Sequence, residues 1–288
     1  MSLTGKGRIA GVVGWPVTHS LSPVLHGHWL KEYKLDGAMV PLAATREDFA
    51  AVIDGVRRAG FKGVNVTVPH KEAAFALAHS LDKGARICGA VNLLVFDGDK
   101  MEGRNTDHSG LHVSIVKAMD GNPFKGKTAV LLGAGGAARG AILALDSFGF
   151  SQVHILNRDG ARAKTLAANL ATEIEAKLIA GGLNDWNSSA DNAALVVNST
   201  SAGMDSNPSL DIDLSVLPKD AAVCDIVYSP LETKLLKDAR ARGHITIDGL
   251  GMLMHQAVPS FEAFFGVRPQ VTQALRDALV KALSARPS

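Results

Sequence analysis

The sequence predicts an α/β protein of two domains, one of them a doubly wound parallel sheet. Three observations carry that prediction. The chain has 288 residues, and domains run at roughly 100–200 residues each. Strand-like and helix-like patterns alternate along its length, as a parallel sheet with helices on both faces requires. A glycine-rich turn follows a strand-like run near the middle of the chain and opens a helical stretch. Composition narrows the field further. Hydrophobic residues make up 47 % and charged residues 20 %, which excludes a disordered chain. Lys and Arg number 30 against 28 Asp and Glu, a net charge of +2. That is too little charge for a nucleic-acid or membrane-surface binder. Aromatics at 5 % do not furnish a stacking platform for single strands.

The elements follow in order. Ile9–Val13 reads as a short strand, and Ser22-Pro23 opens a helix, serine serving as N-cap and proline fitting the first turn. Met39–Leu42 is a strand. Thr45-Arg-Glu-Asp48 is a capping-box variant before Phe49, Val52, Ile53 and Val56, which repeat at helical spacing up to Gly60. Gly63–Val68 is a strand stopped by Pro69. Val91–Phe96 and Lys100–Arg104, joined by Asp97-Gly98, form a hairpin. A helix over Leu111–Met119 precedes the linker Asp120–Gly126, a candidate domain boundary. Strands follow at Thr128–Leu132, Val153–Asn157, Leu195–Asn198, Ala222–Ile226 and Ile245–Ile247. Two apolar helices, Met252–Phe265 and Val271–Leu283, close the chain.

The two cysteines, Cys88 and Cys224, are far apart and belong to no C-x-x-C pattern, so neither a disulfide framework nor a cysteine zinc site is expected. His108 and His112 can share a helix face, but two ligands do not make a metal site. The first residues lack the apolar core of a signal peptide and no apolar run reaches membrane-spanning length, so the chain reads as cytoplasmic.

Gly133-Ala134-Gly135-Gly136-Ala137-Ala138 matches G-x-G-x-x-A between a strand and a helix. The first glycine permits the tight turn, the second lets backbone approach a pyrophosphate, and Ala138 allows close helix packing. The helix N-terminus adds free N–H groups for phosphate. At the tip of the next strand stand Asn157, Arg158 and Asp159, with Arg162 a turn later. The arginines favour the 2′-phosphate of NADP, whereas an acidic residue at this point favours NAD.

Four polar clusters mark the first hundred residues. Ser20 and Ser22 flank a helix start and offer a carboxylate site. Asn65 and Thr67 share one strand face, followed by Lys71. Gly89-Ala-Val-Asn92 and Gly103-Arg-Asn-Thr-Asp107 bracket the hairpin with amides and a carboxylate, Asp107 being simplest as a helix N-cap.

Taken together these motifs resemble the shikimate dehydrogenase family. H-S-L-S-P, N-V-T-V-P-H-K, G-A-V-N and N-T-D-H-S-G stand in the family's order, followed by G-A-G-G-A-A, N-R-x-x-x-R-A, N-S-T-S-A-G-M, D-I-V-Y-S-P-L-E-T and D-G-L-G-M-L-M-H-Q-A, from about residue 9 to 285. The resemblance implies reversible NADPH-dependent reduction of 3-dehydroshikimate to shikimate, a metal-free step of the shikimate pathway of aromatic amino-acid biosynthesis. It implies Lys71 and Asp107 as the catalytic pair. Substrate ligands would be Ser20, Ser22, Asn65, Thr67, Asn92, Asp107, Tyr228 and Gln256. The cofactor would lie on Gly133, Ala134, Gly135, Gly136, Ala137, Asn157, Arg158, Asp159, Arg162, Thr200, Ile226, Gly249 and Met252. The implied architecture is a substrate domain over 1–107, a Rossmann-type NADP domain over 108–249, and C-terminal helices over 250–288 packing back on the substrate domain. Partners would be the small-molecule substrate alone, with no nucleic acid and no membrane, in a monomer or homodimer. Two departures stand out: Leu93 where the family usually has Thr, and Asp159 where NADP-dependent members carry Thr or Ser. Asp159 keeps a quinate/shikimate dehydrogenase using NAD as one alternative, and a non-catalytic nucleotide-binding paralogue is another.

Overall fold

The computed structural model describes residues 3–204 and 207–285. The chain forms two compact units. One runs to Thr106 and resumes at Gln256, and the other spans Asp107–His255. Among the described residues no helix is long and apolar enough to cross a membrane.

The first unit is built on a six-stranded mixed sheet. Its strands are β1 (Arg8–Gly14), β2 (Gly37–Ala43), β3 (Gly63–Val66), β4 (Ser80–Leu81), β5 (Leu93–Asp97) and β6 (Lys100–Arg104), in the spatial order β2-β1-β3-β5-β6-β4. β1 lies parallel to both β2 and β3, while β5 runs antiparallel to β3 and β6. Helices α1 (Ser22–Glu32), α2 (Phe49–Arg58), α3 (Lys71–Leu77) and α4 (Lys83–Cys88) connect the strands. Phe49 and Ile53 of α2 pack with Val13, Val64, Val66 and Leu94 of the sheet, so the i, i+4 stripe of α2 is what that face buries. A second, aromatic cluster joins α1 to the C-terminal part of the chain. Trp29 meets Phe261 edge-on at 5.2 Å between ring centroids, and its indole N–H donates to Gln270 O at 2.9 Å.

The second unit carries the expected parallel sheet. It comprises β7 (Thr128–Leu132), β8 (Gln152–Asn157), β9 (Lys177–Gly182), β10 (Ala193–Asn198), β11 (Ala222–Asp225) and β12 (Ile245–Ile247), ordered β12-β11-β10-β7-β8-β9 with every neighbour parallel. Counted within the unit this is the 3-2-1-4-5-6 order of a dinucleotide-binding sheet, with its reversal between β7 and β10. Helices α5 (Asp107–Ala118), α6 (Gly136–Ser147), α7 (Gly160–Leu170), α8 (Trp186–Ala190) and α9 (Lys234–Ala241) accompany it. Then α10 (Gly249–Phe265) contributes residues to both units, and α11 (Gln273–Ser284) ends the chain.

The structure departs from the sequence expectation at several points. Ser22 is the first residue of α1, not its cap: Leu21 holds the cap position with no side-chain cap bond, and Ser20 Oγ, one residue further upstream, accepts the Ser22 N–H at 3.2 Å. Asp107 likewise is the first residue of α5. The strand predicted over 63–68 ends at Val66, where Thr67 turns its carbonyl to His70 N–H. β9 and the two-residue β4 were not foreseen. β9 reads Lys-Leu-Ile-Ala-Gly-Gly at the edge of its sheet, half exposed, with glycines where side chains would show a pattern.

Candidate functional site

In the second unit a cavity of about 470 Å³ opens where the strand order reverses. Ligands of open α/β sheets bind at that switch point, outside the carboxyl ends of the strands. The β7–α6 turn forms one wall through Gly133, Ala134 and Gly135, and the loop after β10 forms another through Ser199, Thr200, Ser201 and Ala202. The glycines of the turn differ in purpose. Gly133 has φ +112°, and a Cβ there would stand 2.8 Å from Ser199 Oγ and 2.9 Å from Thr200 Cγ2, so both backbone strain and crowding demand glycine. A Cβ at Gly135 or Gly136 would meet nothing within 4 Å. Those two positions keep open space in front of the N-terminus of α6, where N–H groups and the helix dipole favour phosphate. Ala138 is fully buried and lets α6 lie close on the sheet.

Beside the end of β8 the cavity is lined by Asn157, Arg158 and Arg162. Asp159, between them in sequence, is not among the lining residues. It is the N-cap of α7, its Oδ1 accepting the Ala161 N–H at 3.0 Å, while Asn157 Nδ2 donates to Asp159 O at 3.0 Å. The cavity therefore presents two guanidinium groups and keeps the carboxylate on the helix end. These donors fit an anionic dinucleotide with a further phosphate on its ribose.

The first unit assembles a different surface, made of side chains. Asn92 is buried at the head of β5 and forms a network: its Nδ2 donates to Thr106 Oγ1 at 2.9 Å and to Gln256 Oε1 at 3.3 Å, and its Oδ1 accepts Thr106 N–H at 2.8 Å. Thr106 Oγ1 donates to Gln256 O at 2.9 Å. Asn65, 6 % exposed on β3, donates weakly from Nδ2 to Asn92 O at 3.5 Å, and its Oδ1 is buried without a hydrogen-bond partner. Lys71 begins α3, and its carbonyl accepts the Val91 N–H at 2.9 Å, which ties the lysine's backbone to the segment leading into Asn92. His70 is occupied elsewhere, stacked on Phe49 at 4.5 Å and bonded through Nε2 to Ala44 O.

Of the residues singled out in the sequence, Ser20, Ser22, Asn65, Thr67, Lys71, Asn92 and Gln256 fall in the first unit. Asp107, Tyr228, Ile226, Gly249 and Met252 fall in the second with the glycine turn and the arginines. His112, one half of the histidine pair, stacks on Phe148 at 4.2 Å and its Nδ1 meets Ser147 Oγ at 2.7 Å, a structural engagement.

Residues 12–94 match the family model described as the shikimate dehydrogenase substrate binding domain, and residues 116–208 match that described as shikimate/quinate 5-dehydrogenase. The shikimate dehydrogenase (NADP+) of Paramagnetospirillum magneticum is 49 % identical over 279 residues, 95 % of this chain and 98 % of its own. The chain belongs to the shikimate dehydrogenase family. Among solved structures, a shikimate dehydrogenase in complex with NADP+ superposes with a TM-score of 0.89 at 32 % identity, covering 98 % of both chains. A quinate dehydrogenase from Corynebacterium glutamicum in complex with NAD superposes at 0.87 and 31 % identity, covering 96 % of this chain and 99 % of its own.

Both departures from the usual shikimate dehydrogenase pattern have a place in this structure. Leu93 is fully buried and stands opposite Asn65 in the β3/β5 register, on the same face; it offers Asn65 Oδ1 no hydrogen bond. Asp159 serves as the α7 cap described above. Sequence reasoning missed Thr106, Ser199 and the cavity-lining stretch Asn207–Leu210. The run of hydroxyl and amide residues directly after β10, at the switch point, was the available signal.

Proposed function

We propose that this chain catalyses the reversible NADPH-dependent reduction of 3-dehydroshikimate to shikimate, within the shikimate pathway of aromatic amino-acid biosynthesis. The observation that carries this is the switch-point cavity lined by the glycine turn, Arg158 and Arg162, in a chain of this family. When bound, the cofactor supplies hydride to the ring carbonyl carbon of the substrate. Gly133–Ala137 and the N-terminus of α6 hold the pyrophosphate, and Asn157, Arg158 and Arg162 hold the adenosine end with its 2′-phosphate. Thr200, Ile226, Gly249 and Met252 complete the surroundings of the cofactor, while Asp159 stays on the cap of α7.

Lys71 stabilises the negative charge that develops on the carbonyl oxygen and delivers the proton, then accepts it in the oxidative direction. Asp107 is the second member of the catalytic pair and accepts a hydrogen bond from a ring hydroxyl. Ser20 and Ser22 hold the substrate carboxylate with Tyr228, and Asn65, Thr67, Asn92 and Gln256 read the ring hydroxyls. The unpartnered Oδ1 of Asn65 supports that assignment, since a buried acceptor without a donor is costly until a ligand supplies one.

The enzyme is read as cytoplasmic and as a monomer or homodimer. The NAD-dependent quinate alternative rested on Asp159, and the commitment of that carboxylate to Ala161 N–H speaks against it. A spectrophotometric assay with shikimate or quinate, each with NADP or NAD, tests the proposal. Shikimate with NADP should give the highest kcat/KM. A preference for quinate with NAD overturns it, and so does the absence of turnover with every pair.

A further inference from the structure

Asp225 ends β11 at 0 % exposure, and its carboxylate has no role in the chemistry described above. Three donors converge on it. Oδ1 accepts the Asn198 amide at 2.9 Å and the Val227 N–H at 3.0 Å, and Oδ2 accepts the Thr233 hydroxyl at 2.7 Å. Burial pushes this carboxyl up from its ordinary range, and the bonds from Thr233, Val227 and Asn198 pull it back. So many donors on one buried carboxylate are the compensation that its desolvation demands.

The bond from Asn198 fixes which way that amide points. With Nδ2 turned to Asp225, Asn198 Oδ1 faces the following loop and accepts both the Thr200 N–H at 3.0 Å and the Thr200 hydroxyl at 2.7 Å. Thr200 Oγ1 in turn accepts the Ala202 N–H at 3.1 Å. At the far end of the loop, Gly203 has φ +80° and lies against Thr233, whose Cβ is 3.6 Å from where a glycine side chain would begin. Ser199–Ala202, the segment so shaped, is a wall of the cofactor cavity.

We propose that Asp225 is a positioning residue for the cofactor: through Asn198 at one end and Thr233 at the other, it sets the conformation of Ser199–Gly203. This rests on the NADP reading given above. The second unit thus contributes to cofactor affinity from a group that never touches the ligand.

The test is NADPH binding by fluorescence titration, alongside thermal melting and the KM for shikimate at saturating NADP. Asp225→Ala, Asn198→Ala and Thr233→Val should each weaken NADPH binding by about tenfold, the scale of coupling within one hydrogen-bond network. The KM for shikimate should stay within about twofold, because that contact is made elsewhere. Asp225→Asn keeps an oxygen for Asn198 and Val227 and should rescue most of the affinity. Should Asp225→Ala fail to fold, Asn198→Ala and Thr233→Val decide the matter, since both residues bond Asp225 and neither lines the cavity. Wild-type NADPH affinity in those two variants, whatever their melting temperatures, overturns the proposal. A wild-type protein that binds no NADPH overturns the cofactor reading itself and takes this proposal with it.

Discussion

Asn65 and Asp225 are both buried polar side chains near the end of a strand, one in each unit, and they are treated in opposite ways. Asp225 accepts three short hydrogen bonds. Asn65 has a carbonyl oxygen with no partner and a single long bond from its amide. Around Asp225 the second unit pairs buried polar groups with one another, and its cavity is walled by backbone and exposed arginines. At Asn65 the first unit leaves a polar valence open. The difference follows from what each surface has to hold. A helix N-terminus already supplies N–H donors and partial positive charge for a pyrophosphate. A ring with several hydroxyls needs side chains that donate and accept at separate points, and they serve recognition only if the protein has not already paired them.

If the first unit holds the reacting end of the substrate, the largest effect belongs to Lys71. Lys71→Ala should lower kcat by about 10²–10⁴-fold, the usual contribution of a general acid, while the KM for shikimate changes little. Stopped-assay rates and a binding titration separate the two. A variant that keeps most of its kcat removes Lys71 from the chemistry.

The contrast between the two buried polar groups is tested by a matched pair of substitutions. Asn65→Leu removes an orphaned acceptor, so stability should hold or rise, while kcat/KM for shikimate falls by about 10–100-fold as a hydroxyl contact is lost. Asn198→Leu should do the reverse to stability, lowering it by about 1–3 kcal/mol, because Asp225 and Thr200 are left short of a partner. Urea unfolding of both variants decides. If Asn65→Leu is destabilised as much as Asn198→Leu, Asn65 is architecture and the distinction between the units fails.

The second unit was the more legible of the two from sequence. Its glycine turn announces itself because only glycine tolerates φ +112° against Ser199 and Thr200, and its inner strands are near-continuous apolar runs, buried throughout in β7. Edge strand β9 escaped because it is half exposed and ends in two glycines. In the first unit the polar residues were visible as residue types on one strand face. What composition could not show is which of them the fold pairs off. Thr106 satisfies Asn92, whereas Leu93 gives Asn65 Oδ1 no partner, and that outcome depends on a cross-strand register 28 residues apart in the chain. The Ser20/Ser22 pair shows the same limit, since neither serine takes the cap position of α1, which falls to Leu21.

His26 tests whether an orphaned group always signals a ligand. It is fully buried with both ring nitrogens unpartnered. Trp29 and Phe261 stand 6.0 and 5.7 Å from it between ring centroids, with Phe264 and Phe265 beside them, so its walls are apolar. Burial pushes its pKa down from 6.5 to about 3. Below pH 6.5 the unfolded chain binds a proton that the folded chain refuses, so stability is lost as pH falls toward 3, by on the order of 1 kcal/mol per pH unit. His26→Leu should remove that slope and add about 1 kcal/mol at neutral pH by eliminating the unpaired nitrogens. Denaturant unfolding at neutral and mildly acidic pH should show the gap between variant and wild type widening with acid. A constant gap would mean that the imidazole gains a partner or a proton in the folded state.

The smallest effect is expected at Asp159, where sequence and structure pull apart. An acid beside the ribose should repel a 2′-phosphate, so Asp159→Thr would widen any preference for NADP over NAD. In the structure the carboxylate caps α7 through the Ala161 N–H and is exposed, outside the lining of the cavity. Water and salt screen what repulsion remains. Threonine also caps helices, so stability should be nearly unchanged. The ratio of kcat/KM for NADP to that for NAD should therefore rise by less than about threefold in Asp159→Thr, an exposed-charge effect. Arg158→Ala, by contrast, should collapse it by about tenfold or more, because a charge-assisted bond to the phosphate is lost. Measuring both variants with both cofactors makes the comparison internal. A tenfold rise in Asp159→Thr would place the carboxylate at the ribose and reopen the NAD alternative, whereas a ratio that moves only with the arginine confirms that the second unit keeps its acid on the helix and its cations on the ligand.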